Sequence, residues 1–208
     1  GHVADFVAST KSHELQQLQR RELGQGFSEA WALRFAGIED MDDLARYSAY
    51  GTKTRCTIET VLRIRSSDGQ AKVLIFVQWE VMKQTLNIAF DHFQIPHVDL
   101  RGSTYERAAL LRQFARPDGP WAMLLSMEFS PSGLNLVAAN HLVLVQPTWH
   151  ENSHEKSVDF EEQAIGRCWR QGQERTVHVW RLCTESTLEE EFVDEHIRIW
   201  ESRVGRRR

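Results

Sequence analysis

Short apolar runs separated by stretches of helical periodicity fill the middle of this 208-residue chain. Lys72-Val-Leu-Ile-Phe-Val77, Trp121-Ala-Met-Leu-Leu125 and His141-Leu-Val-Leu-Val145 are continuous enough to be strands buried on both faces of a parallel sheet. His97-Val-Asp-Leu100 reads as a shorter strand, and Thr176-Val-His-Val-Trp-Arg-Leu182 alternates as a further one. Helices are expected from about Thr52 to Arg65, with Ile58, Val61, Leu62 and Ile64 as core contacts, and from about Glu80 to Phe93. Ser103-Thr-Tyr-Glu106 is a capping box that opens another to about Ala115, and Ser186-Thr-Leu-Glu189 caps a last one to about Arg203. Strands alternating with helices make the fold α/β: a three-layer sandwich on a mainly parallel sheet. Ligands are expected at the carboxyl ends of its strands.

The flanks read differently. Residues 1–50 form a polar, helical appendage with sparse stripes at Leu15, Leu18 and Leu23 and at Met41, Leu44 and Tyr47. The α/β lobe is expected over 51–185, and 186–208 hold the C-terminal helix and a frayed basic tail, Arg203-Val-Gly-Arg-Arg-Arg208. The link from Trp149 to Gln163 carries Glu151, Glu155, Asp159, Glu161 and Glu162 and reads as a solvated loop, with a partner site as the alternative. Asp194-Glu195-His196 superficially resembles an acidic nucleotide-site box but falls inside the last helix, away from any strand end. The abrupt start at Gly1-His2 is expected of a fragment.

Composition narrows the chemistry. With 41% hydrophobic and 26% charged residues the chain can bury a core. A formal net charge of −4 means that any nucleic-acid contact must come from a local basic surface. Cys56, Cys168 and Cys183 have no metal-ligand spacing and read as reduced thiols, and the nine histidines have none either, so no metal site is expected. No apolar run approaches the ~20 residues of a bilayer span, so no membrane partner is expected.

The chemistry concentrates in Gln163-Ala-Ile-Gly-Arg167-Cys-Trp-Arg170-Gln-Gly-Gln173. If this segment is helical, two arginines three residues apart share one face and can fork onto phosphate oxygens. The string resembles motif VI of superfamily-two helicases, in particular of the SWI/SNF-like remodelling ATPases. The resemblance extends over about Gly51 to Phe192. Gly51-Thr-Lys53 with Lys72 to Trp79 is similar to the start of the second lobe and motif IV. Leu100-Arg-Gly-Ser-Thr104 with Arg107 resembles a DNA-strand contact. Leu124-Leu-Ser126 through Ser132-Gly-Leu-Asn-Leu136 is similar to motif V, with Phe129-Ser-Pro-Ser132 where the family has a glycine-rich stretch; a similar small-residue version occurs in its RING-bearing DNA-damage-tolerance branch. Val145-Gln-Pro-Thr-Trp149 resembles the strand end before motif VI.

The resemblance implies a RecA-like fold and a set of roles. Arg170 would be the finger on the γ-phosphate, with Arg167 beside it and Gln163 orienting the site. Gly133, Asn135 and Gly166 would line the nucleotide. Gln78, Trp79, Arg101, Gly102, Ser103, Thr104, Arg107 and Ser126 would meet DNA, although composition alone makes Trp79 a packing residue. Independently of the family, a small-residue turn at a helix N-terminus offers N–H groups to a phosphate. The implied cofactor is ATP with Mg²⁺, bound mainly by a first lobe, because no GxxxxGK[ST] loop and no strand-borne acidic pair occur here. The implied partners are double-stranded DNA, nucleosomes and the first RecA-like lobe, in a nuclear protein of chromatin remodelling or DNA repair. Alone, the chain should not hydrolyse ATP. Two alternatives stand: a lobe of another superfamily-two DNA or RNA helicase, or a non-catalytic scaffold or regulatory lobe.

Overall fold

The chain divides into two compact units, Gly1–Ala49 and Tyr50–Arg208. The computed structural model describes residues 49–127, 134–151 and 153–206. The predicted appendage, Pro131 and Gly133 therefore lie outside the described residues.

In the second unit α1 spans Gly51–Ser67, β1 Val73–Val77, α2 Glu80–His92, β2 His97–Asp99 and α3 Thr104–Ala115. They are followed by β3 Ala122–Ser126, β4 His141–Leu144, α4 His154–Ile165, β5 His178–Arg181 and α5 Leu188–Arg206. The strands form one sheet in the order β2-β3-β1-β4-β5. Every pairing is parallel, with Val73 opposite both Ala122 and His141. The fold is thus the expected α/β sandwich of RecA-like type.

Continuous apolar runs became the central strands because helices cover both sheet faces, leaving no polar side for alternation. β1, β3 and β4 are buried at every position. Leu74, Phe76, Met123, Leu125, Leu142 and Leu144 pack in one core with Val98, Phe114 and Cys168. In α1, all of Ile58, Val61, Leu62 and Ile64 are buried, as their spacing requires.

Lys72, just ahead of β1, runs through this core. Its ammonium donates to the carbonyls of Phe114 at 2.5 Å, Arg116 at 2.6 Å and Pro120 at 3.2 Å. These carbonyls end α3 and the turn after it, where helical partners run out. One buried cation therefore caps a helix and anchors the strand that follows α1 in sequence.

Three sequence expectations fail. The link before Gln163 is not a solvated loop: α4 begins at His154, capped by the Ser153 hydroxyl accepting from Lys156 N–H. Ser157, Val158, Glu161, Ala164 and Ile165 are buried, a helical spacing that two polar members disguised. Nor is the basic end frayed from Arg203. Its guanidinium lies 2.8 Å from Asp159 and 3.2 Å from Glu162, which holds α5 along α4. Asp159 and Glu162 of the supposed loop are the carboxylate partners of this arginine. The cap of α5 also shifts by one position: Thr187 Oγ1, not Ser186, accepts from Glu189 N–H at 3.3 Å. Asp194-Glu195-His196 does lie within α5, as expected.

Candidate functional site

Residues with phosphate-binding chemistry form two groups, and the sheet separates them. The first sits at the carboxyl ends of the strands. After β1 come Gln78, half-buried, and Trp79, which is 49% exposed and therefore not the packing residue that composition suggested. Gln78 Nε2 donates to Trp149 O at 2.6 Å, and Trp149 N–H donates back to Gln78 Oε1 at 2.7 Å. Trp149 is the residue that follows Thr148 beyond β4, and its indole stacks on Phe192 of α5 with centroids 5.1 Å apart.

Beyond β2, the loop Leu100–Ser103 is held from below. Lys83 of α2, only 3% exposed, bridges Glu80 and Asp99, each at 2.9 Å. Burial alone would lower the Lys83 pKa, but the two carboxylates outweigh it and raise it. Gly102 has φ +88°, and a Cβ there would come within 2.5 Å of Glu106 Oε2, so the turn requires glycine. The capping box forms as predicted: Glu106 N–H donates to Ser103 Oγ at 3.3 Å, and Ser103 N–H to Glu106 Oε2 at 2.6 Å.

That box changes the expected chemistry of the loop. The Glu106 carboxylate, held below its usual pKa by the Ser103 backbone N–H, occupies the place where a phosphate was expected. Ser103 is engaged as the cap. The exposed Thr104 and the half-buried Arg107 remain for an approaching anion, with the exposed Arg101, whose Nε lies 3.7 Å from Asp99 Oδ2. Ser126, ending β3, is 3% exposed and its hydroxyl makes no hydrogen bond among the described residues.

The second group surrounds the turn after α4. The helix stops at Ile165, so Arg167 and Arg170 lie on a turn and not on one helical face. Gly166 is the C-cap with φ −62°, and Trp169 N–H returns to Ile165 O at 2.9 Å. Nor does this turn lie at the strand carboxyl ends. α4 runs back along the sheet, bringing the turn beside the segment that leads into the amino end of β4. Leu136 N–H donates to Arg167 O at 2.9 Å. Gln173 Nε2 reaches Ala139 O at 2.7 Å, Val137 O at 3.1 Å and Cys168 O at 3.2 Å. Arg175 extends the anchorage to the Asp68 carboxylate and to Gln70 O at 3.0 Å.

On this pinned backbone the two arginines differ. Arg167 is half-buried, and burial lowers its pKa from the usual arginine value. Arg170 is exposed and its guanidinium makes no ion pair or hydrogen bond among the described residues. Gln163, Gly166 and Asn135 are also exposed on this side. Cys168 packs in the core, its thiol pushed up to about 11 by burial. The structure therefore brings Asn135, Gly166, Arg167 and Arg170 together and separates them from Gln78, Arg101 and Ser126.

Sequence reasoning missed what supports α4. Glu161, 1% exposed, accepts from Arg181 Nε at 3.2 Å and faces His196 Nδ1 at 3.0 Å. A polar residue in phase with apolar neighbours was the signal available. Among the described residues no group of three or more His, Cys, Asp or Glu could hold a metal ion, and no helix is long and apolar enough to cross a membrane.

Comparison with known proteins bears on this arrangement. Residues 53–172 match the family described as the helicase conserved C-terminal domain. The chain is 36% identical over 143 residues to DNA (cytosine-5-)-methyltransferase DMT5 of Cryptococcus neoformans var. grubii, covering 67% of this chain and 6% of that protein. It is 33% identical over 136 residues to human DNA repair and recombination protein RAD54-like, covering 65% and 17%. With DNA excision repair protein CSB of Oryza sativa subsp. japonica it shares 29% over 164 residues, covering 76% and 13%. The chain thus spans less than a fifth of the length of these relatives. The crystal structure of the C-terminal part of the Fun30 ATPase domain superposes with a TM-score of 0.58 at 23% identity, covering 68% of this chain and 44% of that one.

Proposed function

The chain belongs to the helicase conserved C-terminal domain family, as the C-terminal lobe of a SWI/SNF-like superfamily-two helicase, and from this we propose that it is the second motor lobe of a DNA-dependent ATPase that translocates on double-stranded DNA. In this reading Arg170 is the finger. It projects from a turn whose backbone is pinned at Leu136, Ala139 and Asp68, yet its guanidinium makes no hydrogen bond or ion pair among the described residues. That is the observation that carries the proposal: a rigid mount for a cation whose partner must come from outside.

ATP with Mg²⁺ would be held mainly by a first lobe, since these 208 residues contain no phosphate-cradling glycine loop. The exposed Arg170, with the half-buried Arg167 beside it, fits the terminal phosphate. Arg170 and Arg167 would stabilise the charge that develops there when the cleft closes, with Gln163, Asn135, Gly133 and Gly166 lining the approach. DNA would lie across the opposite, carboxyl-end group, reached by Arg101, Thr104, Arg107 and Trp79, with Gly102 allowing close approach. Such backbone contacts are independent of sequence and weaken with salt. The separation of the two groups suits a motor, because cleft closure and DNA grip occupy different faces of one lobe. Nucleosomal DNA and the first lobe are the partners this reading implies, in a nuclear remodelling or repair protein.

The test is ATP hydrolysis by the two-lobed protein, with and without duplex DNA, beside its Arg170→Ala variant. Duplex-stimulated turnover that falls by about 10³-fold in the variant supports the finger. Normal turnover in the variant overturns it, and no stimulation by any duplex overturns the translocase.

A further inference from the structure

The reciprocal pair between Gln78 and Trp149 lies where the sheet changes direction. From β1 the chain crosses to β2 at one edge, and from β4 it crosses to β5 at the other. The connections leaving these neighbouring strands therefore part at their carboxyl ends, the switch point of an open parallel sheet. Across that gap the Gln78 amide makes two bonds to the backbone of one residue, at 2.6 Å and 2.7 Å. The clasp uses one N–H and one oxygen lone pair of the amide, which fixes its plane against the Trp149 backbone.

What Trp149 leads to gives the pair its consequence. His150 N–H donates to Ser157 Oγ at 3.0 Å, and Ser157 Oγ donates to Ser153 O at 3.1 Å. The first turn of α4 is thereby tied to the residue next to Trp149. Twelve residues of helix, about 18 Å long, then end at Gly166 and the arginine turn. Midway, Glu161 locks α4 to β5 and α5 through Arg181 and His196. At the far end Arg167 O receives Leu136 N–H. A contiguous set of bonds and one rigid helix thus connects the end of β1, on the DNA side of the proposed reading, to the arginines on the nucleotide side.

We propose that Gln78 is a positioning residue: by clasping the Trp149 backbone it sets where α4 begins, and α4 delivers that placement to the Arg167–Arg170 turn. The inference rests on the motor reading for its kinetic meaning but not for its structural one. It gives Gln78 a role inside the lobe, beside the DNA contact expected from the sequence, since one N–H and one oxygen lone pair of the amide remain beyond its two bonds to Trp149.

Two measurements test it. On this chain, hydrogen exchange needs neither ATP nor DNA. Gln78→Ala is expected to accelerate amide exchange by about tenfold over 149–157 and over the turn 166–173, leaving α3 and β3 unchanged. In the two-lobed protein, Gln78→Ala is expected to lower turnover at saturating duplex by about fivefold, while half-saturation by duplex moves less than about twofold. Gln78→Glu keeps the acceptor for Trp149 N–H but removes the donor, and it should behave as the alanine variant does. Arg101→Ala should instead raise the duplex concentration needed for half-saturation, with no change of amide exchange at 166–173. Unchanged exchange at 166–173 overturns the proposal. So does a Gln78→Ala defect that saturating duplex fully restores, the signature of a direct DNA contact. If wild-type turnover ignores duplex while exchange at the turn responds to Gln78→Ala, the motor reading fails and the clasp stands.

Discussion

Glu161 and His196 meet between α4 and α5 with Oε1 and Nδ1 3.0 Å apart and 1% exposure each. Burial raises the Glu161 carboxyl pKa, but the Arg181 guanidinium and His196 outweigh it and hold the group below the ordinary value. A carboxylate in this state is costly to orphan and costly to remove, because its partners stay behind.

Glu161→Ala is therefore expected to destabilise the lobe by about 3 kcal/mol or more, read by urea unfolding at pH 7. Replacing both members, Glu161→Leu with His196→Leu, should cost less than the single change, since it removes the buried charge together with one of its partners. A double variant less stable than Glu161→Ala would show that packing, and not charge pairing, dominates the site. Because the folded Glu161 pKa is depressed, its contribution is present above about pH 4.5 and is lost as pH falls below it.

A second pH effect arises at the amino end of the sheet. His141 is 8% exposed, stacks on His178 at 4.7 Å, and its Nδ1 accepts from Trp180 Nε1–H at 3.0 Å. That bond requires Nδ1 to be unprotonated. Burial, then the neighbouring His178, pushes the His141 pKa down to about 4 from 6.5. The unfolded chain takes up this proton as pH falls through 6.5, whereas the folded chain resists until about 4. Stability should fall between those values by about 3 kcal/mol and level off below them. In His141→Asn, urea midpoints measured at pH 7, 5.5 and 4.5 should show a much flatter decline over that window. An unchanged slope would exclude His141 as its source.

Lys72→Met should retain the aliphatic packing beside Phe114 while removing the donor shared by the Phe114, Arg116 and Pro120 carbonyls. The expected cost is about 2 kcal/mol in urea unfolding, with faster amide exchange at the end of α3. A neutral or stabilising outcome would mean that the desolvation of Lys72, which lowers its pKa, outweighs its bonds.

How much of this could be read in advance differs from element to element. The strands at 73–77, 122–126 and 141–144 were legible because a run buried on both faces needs no partner information to be recognised. The Ser103 capping box was legible because its bonds join residues three apart. α4 was not, because Ser157 and Glu161 occupy buried positions that a hydropathy pattern assigns to solvent. Their burial is offset by His150, His196 and Arg181, the last two far away in sequence. The same holds for the arginine turn: the spacing of Arg167 and Arg170 suggested a helical face, but helix length is set by where α4 packs.

By itself the sequence determined the lobe's class, its order of strands and helices, and the motif that carries the two arginines, since these follow from local periodicity and from residue types a few positions apart. Only the tertiary structure decided that Gln78 binds the Trp149 backbone, and that the arginine turn and the residues at the strand carboxyl ends lie on opposite ends of the sheet. Each of these depends on a hydrogen bond or a packing direction set by the folded chain, and a side chain that can bond either to a ligand or to its own backbone is committed only when the fold brings one of them within reach.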